Sequence, residues 1–363
     1  MKKIIIFLFC FATCYAFAQS SSDCQTKLKI LESQNADLTK TNGELKEQVK
    51  RQKVINSTTT VDPNPQIIKT LQAENDSLRS IIDSLNHAYY LAEKSREKKV
   101  DENMPVKFAD KNLETFLLRC FDLNDDGIIS QFEAEQIVNL NISKLKITSL
   151  EGIEYLVNLE KLVCSDNKII KVDLLHNRAL KVLICSNNPL TFLNVSNSPN
   201  LTKLYCAFNK LITLDVSKNP ELKDLTCHNN LLTVLYLSNN PLLEKLNCSN
   251  NQITTLNIAS CQALKRLECK SNGIAKLDIA RNTNLEYLDC SYNKLVALSL
   301  ENNKLLKNLN VSYNQLVSLM VKNGVDFELL DCLSNPHLLE IKIDASQKFV
   351  ELKKSKKTQL LVN

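Results

Sequence analysis

The sequence predicts a parallel β-solenoid with extended or turn-like backbone on its back side. One sentence of residues, Leu-x-x-Leu-x-Cys-x-x-Asn, is written nine times between Leu159 and Ile343. Its copies open at Leu159, Leu180, Leu201, Leu222, Leu243, Leu264, Leu285, Leu306 and Phe327, a fixed period of 21 residues. Self-similarity at such a period marks stacked units that bury a continuous core only together. Within each unit the apolar residues alternate, as Leu204 and Cys206 do, which marks a short strand with one buried face. Twenty-one residues per coil leave little room for a back-side helix. Coils stacked about 4.8 Å apart make the array roughly 40 Å long.

Taken from its start, the chain opens with the pattern of an export signal. Lys2 and Lys3 precede an apolar run from Ile4, and Ala16-Phe17-Ala18 stands before Gln19, so cleavage is expected after Ala18. A retained anchor is the weaker reading, because the apolar run is short. The expected location is periplasmic, secreted or cell-surface.

Residues 23–100 carry heptads. Leu31, Leu38 and Leu45 are seven apart beside Leu28, Asn35, Asn42 and Val49. Leu71, Leu78 and Leu85 repeat the pattern beside Ile68, Asn75, Ile82 and Tyr89. A break at residues 56–66, with Pro63 and Pro65, divides two helices. Two readings stand: a coiled-coil stalk that forms a homo-oligomer, which the Asn residues at a positions favour in parallel register, and a polar monomeric linker. Cys24 continues the Leu31 register and would face its copy in a parallel dimer.

Next comes a metal motif. Asp122-Leu-Asn124-Asp-Asp126-Gly127-Ile128-Ile-Ser130-Gln-Phe-Glu133 fills every ligand position of an EF-hand loop for Ca²⁺. Asp122, Asn124 and Asp126 offer side-chain oxygens, and Ile128 offers its carbonyl. Ser130 reaches the ion directly or through water, and Glu133 is the bidentate ligand. Helical patterns are expected before the loop (Phe108, Leu113, Phe116, Leu117, Phe121) and after it (Phe132, Ala134, Ile137, Val138). The alternative is an acidic surface turn without an ion. Residues 105–158 therefore read as a helix-loop-helix cap, with Leu140 to Asn158 covering the first coil's open edge.

In the repeats, residues 159–343, the Asn that ends each motif is placed to bond its own turn and the next coil, giving an Asn ladder. Eight of the thirteen cysteines share one inward slot: Cys164, Cys185, Cys206, Cys227, Cys248, Cys269, Cys290 and Cys332. Parallel side chains in one slot make the disulfide dihedral hard to reach. Buried free thiols acting as small apolar groups are expected instead. Val311 replaces the ladder Cys once, and Cys261 occupies a second-half Asn site. Residues 344–363, with Lys353-Lys354-Ser355-Lys356-Lys357, read as a C-terminal cap with a solvated basic face.

These motifs resemble the bacterial 21-residue class of leucine-rich repeats called IRREKO, and the chain is similar to the internalin-like surface proteins. The Ca²⁺ loop is similar to the dockerin-like loop that opens many bacterial leucine-rich-repeat domains, which implies a structural ion and not a switch. The resemblance implies a protein or surface-glycan ligand on the solenoid face.

Composition narrows the chemistry. The formal charge of +5 gives no basic excess for nucleic acid, and five glycines leave no phosphate-cradling loop. His87, His176, His228 and His337 are scattered, and no His-Glu-x-x-His or Gly-x-Ser-x-Gly motif occurs. A non-enzymatic interaction or adhesion module is expected, with an envelope spacer as the alternative. The candidate partner surface lies on the outward strand positions: Val163, Val182, Ile184, Tyr205 and Phe208 toward one end, Tyr287, Tyr292 and Tyr313 toward the other. The column between Leu and Cys turns polar along the array, through Thr226, Asn247, Glu268, Asp289, Asn310 and Asp331.

Overall fold

The computed structural model describes residues 104–321, 326–345 and 347–362. The signal segment, the heptads and Cys24 lie outside the described residues. No helix among the described residues is long and apolar enough to cross a membrane.

The repeats form a solenoid whose main sheet has eleven strands, all parallel. The repeats from Leu159 to Leu306 each contribute three residues with the middle Leu buried, and the last contributes five, Phe327–Asp331. Lys203–Tyr205, for example, pairs with Val182–Ile184 on one side and Asp224–Thr226 on the other. Leu183, Leu204 and Leu225 thus stack in register beneath the sheet. The back side carries short strands where the sequence allows, Thr213–Asp215 against Val234–Tyr236 and Ser318–Met320 against Glu340–Ile343, with turns elsewhere. Extended and turn-like backbone is what a 21-residue coil accommodates.

The solenoid is longer than the nine motifs at both ends. Asn139–Asn141 pairs in parallel with Lys161–Val163, so the segment expected to be an irregular cover is itself a coil. At the other end, Phe349–Lys353 continues the main sheet beside Phe327–Asp331, and Gln359–Val362 continues the back side beside Glu340–Ile343. The expected C-terminal cap is therefore a further coil. Phe327 and Phe349 stack beneath it with ring centroids 5.9 Å apart. Its basic run is partly drawn into the fold: Lys353 pairs with Glu351, and Lys354 Nζ donates to the Thr358 carbonyl.

The ladder asparagines fix the coils to one another. Asn209 Nδ2 donates to the carbonyls of Cys206 and Ala207 in its own turn and of Cys185 in the preceding coil. Its Oδ1 accepts from the N–H of Leu190, also in the preceding coil. The amide thus reaches back and not forward, a correction to the expected direction. A second ladder on the other flank is built the same way: Asn219 Nδ2 donates to Val195 and Ser198, and Asn240 Nδ2 to Val216 and Asn219.

Every cysteine of the inward slot is buried and free, with Val311 filling the same slot, also buried. Burial pushes the Cys185 and Cys248 thiols up to about 12, so a reactive thiolate is disfavoured at neutral pH. Cys120, on the helix that precedes the loop, is exposed and free.

Removing one ladder amide orphans several buried backbone groups at once. Asn209→Ala is expected to destabilise the solenoid by roughly 3–5 kcal/mol, since each unpaired buried group costs about 1–3 kcal/mol. Thermal melting of the variant checks this, and an unchanged midpoint would show that the ladder does not hold the coils together.

Candidate functional site

Two regions gather the residues singled out in the sequence: the acidic loop at the start of the fold, and the outer face of the main sheet.

Helix α1, Lys111–Phe121, delivers the chain to the loop. Asp110 caps it, its Oδ1 accepting from the N–H groups of Asn112 and Leu113. Asp110 Oδ2 accepts from the N–H and Oγ1 of Thr148 at 2.8 and 2.9 Å, which ties the helix to the first coil. Gly152 completes this docking. Its φ of +105° suits glycine, and a Cβ there would meet the Phe108 ring at 2.5 Å and the Lys107 carbonyl at 2.6 Å.

The loop folds through a series of side-chain-to-backbone bonds. Asp122 Oδ2 accepts from Gly127 N–H, Asn124 Oδ1 from Asp126 N–H, and Asp126 Oδ1 from Ile128 N–H. Asp125 and Gly127 sit at φ of +55° and +81°, so the chain makes the sharp bend expected at Gly127. Glu133 is held by the backbone at both ends of the loop. Its Oε2 accepts from the N–H and Oγ of Ser130, and its Oε1 from the N–H of Leu123. Ser130 and Glu133 make a capping box for helix α2, Gln131–Glu135. Among the described residues no group of three or more His, Cys, Asp or Glu is close enough to hold a metal ion. The donor types of the loop are those a Ca²⁺ site uses, and the Glu133 carboxylate is engaged by Ser130 and Leu123.

The exit helix is shorter than expected. It ends at Glu135, because the Val138 carbonyl accepts from the N–H groups of Glu160 and Lys161 and draws the chain into the first strand. The loop is braced by its own chain: Val106 N–H donates to Ile129, Gln131 N–H donates to Met104, and Pro105 bridges Ser130 antiparallel.

On the sheet face, Val163, Ile184 and Tyr205 lie side by side in register, with Val182 beside Lys161 and Lys203 in the neighbouring column. All are at least partly exposed, and the strand leucines between them are buried. The polar end of the expected column is largely consumed by the turns that follow it. Asp289 is buried and accepts from the N–H and Oγ of Ser291. Asn310 does the same for Ser312, and Asp331 accepts from Leu333 N–H.

Phe208, Tyr292 and Tyr313 share a feature that marks them more sharply than exposure does. The residue before each ladder Asn adopts a left-handed turn, with φ between 53° and 58°. Asp166, Asn187, Asn229, Asn250, Ser271 and Ser334 fill this position in six coils, and aromatic side chains fill it in three. The left-handed region costs an ordinary L-residue about 1–2 kcal/mol and is relieved chiefly by Gly, Asn or Asp. The three aromatic rings are each about half exposed, at 51%, 51% and 49%. Tyr292 and Tyr313 stack, centroids 4.1 Å apart and 10° from parallel, and Phe208 meets His228 edge-on at 5.1 Å.

Tyr205 and Phe208 border a concavity of about 560 Å³ over the central strands. Asp224, Thr226, His228, Lys245, Asn247, Arg266 and Glu268 supply most of its polar lining. Tyr205 donates its hydroxyl to Asp224 Oδ2 at 2.7 Å, and burial together with that carboxylate pushes the phenol up to about 12. Arg266 Nε lies 2.7 Å from Glu268 Oε1, with its guanidinium 3.6 Å from the Tyr287 ring centroid. Reading one column at a time misses this site, because Asp224, Lys245 and Arg266 come from the other outward column of the same strands.

No protein-family model and no curated protein matches the chain. Among solved structures it is similar to the functional domain of InlJ from Listeria monocytogenes, described as including a cysteine ladder, with 29% identity over 70% of each chain and a TM-score of 0.49. An internalin C2 from the same organism shares 25% identity over 58% of this chain and 97% of that one, TM-score 0.48. A leucine-rich-repeat protein of Leptospira interrogans shares 21% identity over 68% and 86%, TM-score 0.44. By its own repeats and register, the described chain is a leucine-rich-repeat solenoid with a period of 21 residues.

The Asp110 anchor sets a pH dependence. Burial opposes its ionisation, but the bonds from Thr148, Leu113 and Asn112 outweigh burial and hold the carboxyl below its ordinary value. A lowered native pKa contributes stability that is complete above the ordinary aspartate value and lost as pH falls through the native one. Asp110→Ala is expected to cost about 2–3 kcal/mol near neutral pH and to remove that share of the acid dependence, as denaturant melts across pH would record.

Proposed function

We propose that the chain is an exported, non-enzymatic interaction module whose sheet face takes a protein ligand, presented on a coiled-coil stalk and begun by a structural Ca²⁺ site. The observation that carries the ligand reading is the Tyr292–Tyr313 stack. Two half-exposed rings occupy turns that six other coils fill with Asn, Asp or Ser, so the fold does not call for them. Aromatic rings on a rigid face are the usual anchors of protein interfaces. A spacer with no ligand gains nothing from them. Partly exposed Ile184 and Val163 extend the apolar surface toward the other end of the array.

Replacing either tyrosine by the residue that its neighbours use separates fold from binding. Tyr292→Asn and Tyr313→Asn are expected to melt at or slightly above the wild-type temperature and yet to lose the protein captured from envelope fractions, as is Ile184→Glu. Capture undiminished in all three would place the ligand elsewhere or favour the spacer.

Ca²⁺ supports this reading as a brace. Asp122, Asn124, Asp126, the Ile128 carbonyl and Ser130 would hold it, with Glu133 released from its capping box. Bound to the native loop only, the ion stabilises the start of the solenoid by mass action. Calorimetry is expected to find one ion per chain and melting curves a higher midpoint in Ca²⁺ than in chelator, with both effects lost in Asp122→Ala. A flat titration with coincident melts would reduce the loop to a turn.

A further inference from the structure

We infer that the concavity over the central strands is a binding site for a neutral saccharide. This deepens the surface-ligand reading at a second place on the sheet face: it rests on Tyr205, Phe208 and the polar residues around them, not on Tyr292 and Tyr313, and its test is separate.

Three properties of the site select the ligand class. Its lining is charge-balanced: Asp224 and Glu268 stand against Lys245 and Arg266. Three of those charges are already committed, Arg266 to Glu268 and the Tyr287 ring, Asp224 to the Tyr205 hydroxyl. An ionic ligand meets no net counter-charge here, whereas a neutral one keeps the internal pairs intact.

The second property is the mixture of one aromatic face with dense, fixed hydrogen-bonding groups. Phe208 stands half exposed at the rim, its orientation set by the left-handed backbone and by the edge-on contact with His228. Carboxylates, the Asn247 amide, the Thr226 hydroxyl and the Arg266 guanidinium line the remainder. A pyranose presents C–H bonds on one face, which suit the negative face of a ring. Around its rim it presents hydroxyls, each both donor and acceptor, which suit carboxylates, amides and guanidinium alike. Groups that are held before the ligand arrives lower the ordering cost of binding.

The third property argues against a peptide in the same place. An extended peptide gains main-chain hydrogen bonds by joining a free sheet edge, and the strands beneath this site, Lys203–Tyr205 through Arg266–Glu268, are paired on both sides. The lining is mixed, with Asp224, Lys245, Arg266 and Glu268 set among apolar surface, and so is not the fully apolar pocket that a protein anchor fills.

Phe208 provides the test, because Asn occupies its position in the coils on either side, at Asn187 and Asn229. The mature chain would be titrated with tetrasaccharides of glucose, mannose, galactose and N-acetylglucosamine, separately, by saturation-transfer NMR and calorimetry. At least one is expected to bind. Phe208→Asn should weaken that binding about tenfold or more, the scale of losing one ring contact, while melting at or above the wild-type temperature. Asn247→Leu should weaken it as well, and Tyr313→Asn, outside the site, should leave it unchanged. Absence of binding by all four, or equal binding by Phe208→Asn, would overturn the inference. Loss of protein capture in Tyr313→Asn with saccharide binding intact would show the two sites to be separate.

Discussion

One backbone constraint governs the solenoid: each coil must turn through the left-handed region immediately before its ladder Asn. At Phe208 the N–H of the turning residue donates to the His228 carbonyl of the following coil, and at Asp166 to that of Ser186. The Asn that follows then points its amide inward, donating to its own turn and to the coil before, as Asn188 does to Cys185, Ser186 and Cys164. The turn is therefore bonded to both neighbours at once. No helix is needed to return the chain, and the inward slot beside the turn is narrow enough that Cys or Val fills it. Strand register, the cysteine column and the outward display of side chains all follow from this turn.

The same constraint explains which parts of the fold were legible in the sequence. Where a coil keeps the Asn, its length, strand and buried residues can be read directly. The terminal coils lack that signature. Around Leu140 the amide is supplied from the next coil, with Asn167 Oδ1 accepting from Leu145 and Ile147. Around Phe349 the strand keeps the spacing of Phe349 and Leu352 but has neither Cys nor Asn. A coil without its own ladder Asn looks irregular in sequence, which is why both ends read as caps. The exit helix of the acidic loop failed for a related reason: local periodicity through Ile137 and Val138 favoured a helix, and the long-range bonds to Glu160 and Lys161 claimed the chain for the sheet.

The candidate sites were legible in part. The aromatic residues could be picked out by their outward positions, but not ranked by exposure alone, because scattered exposed apolar groups are ordinary. A sharper signal was present: Phe208, Tyr292 and Tyr313 directly precede an Asn, in a slot where the other repeats place Asn, Asp or Ser. Its meaning depends on φ, which a motif does not carry. The concavity was less legible still. Its members are distributed over five coils, in two strand columns and the turns that follow them, and only register places Asp224, Asn247 and Glu268 around one space.

A periodic fold makes departures from the period informative in a way that a globular core does not. In the ladder slots, departures preserve character: Val311 for Cys is small and apolar, and Ser198 for Asn in the second ladder stays buried. Those substitutions answer to packing. At the left-handed turns the departures run against local preference, because an aromatic residue gives up the relief that Asn provides and leaves half its ring in water. Since neighbouring coils show the unstrained solution at the same backbone position, the strained one is not dictated by the coil. Strain maintained against an available alternative points to a demand outside the fold, which is the ground on which Phe208, Tyr292 and Tyr313 are proposed as ligand contacts.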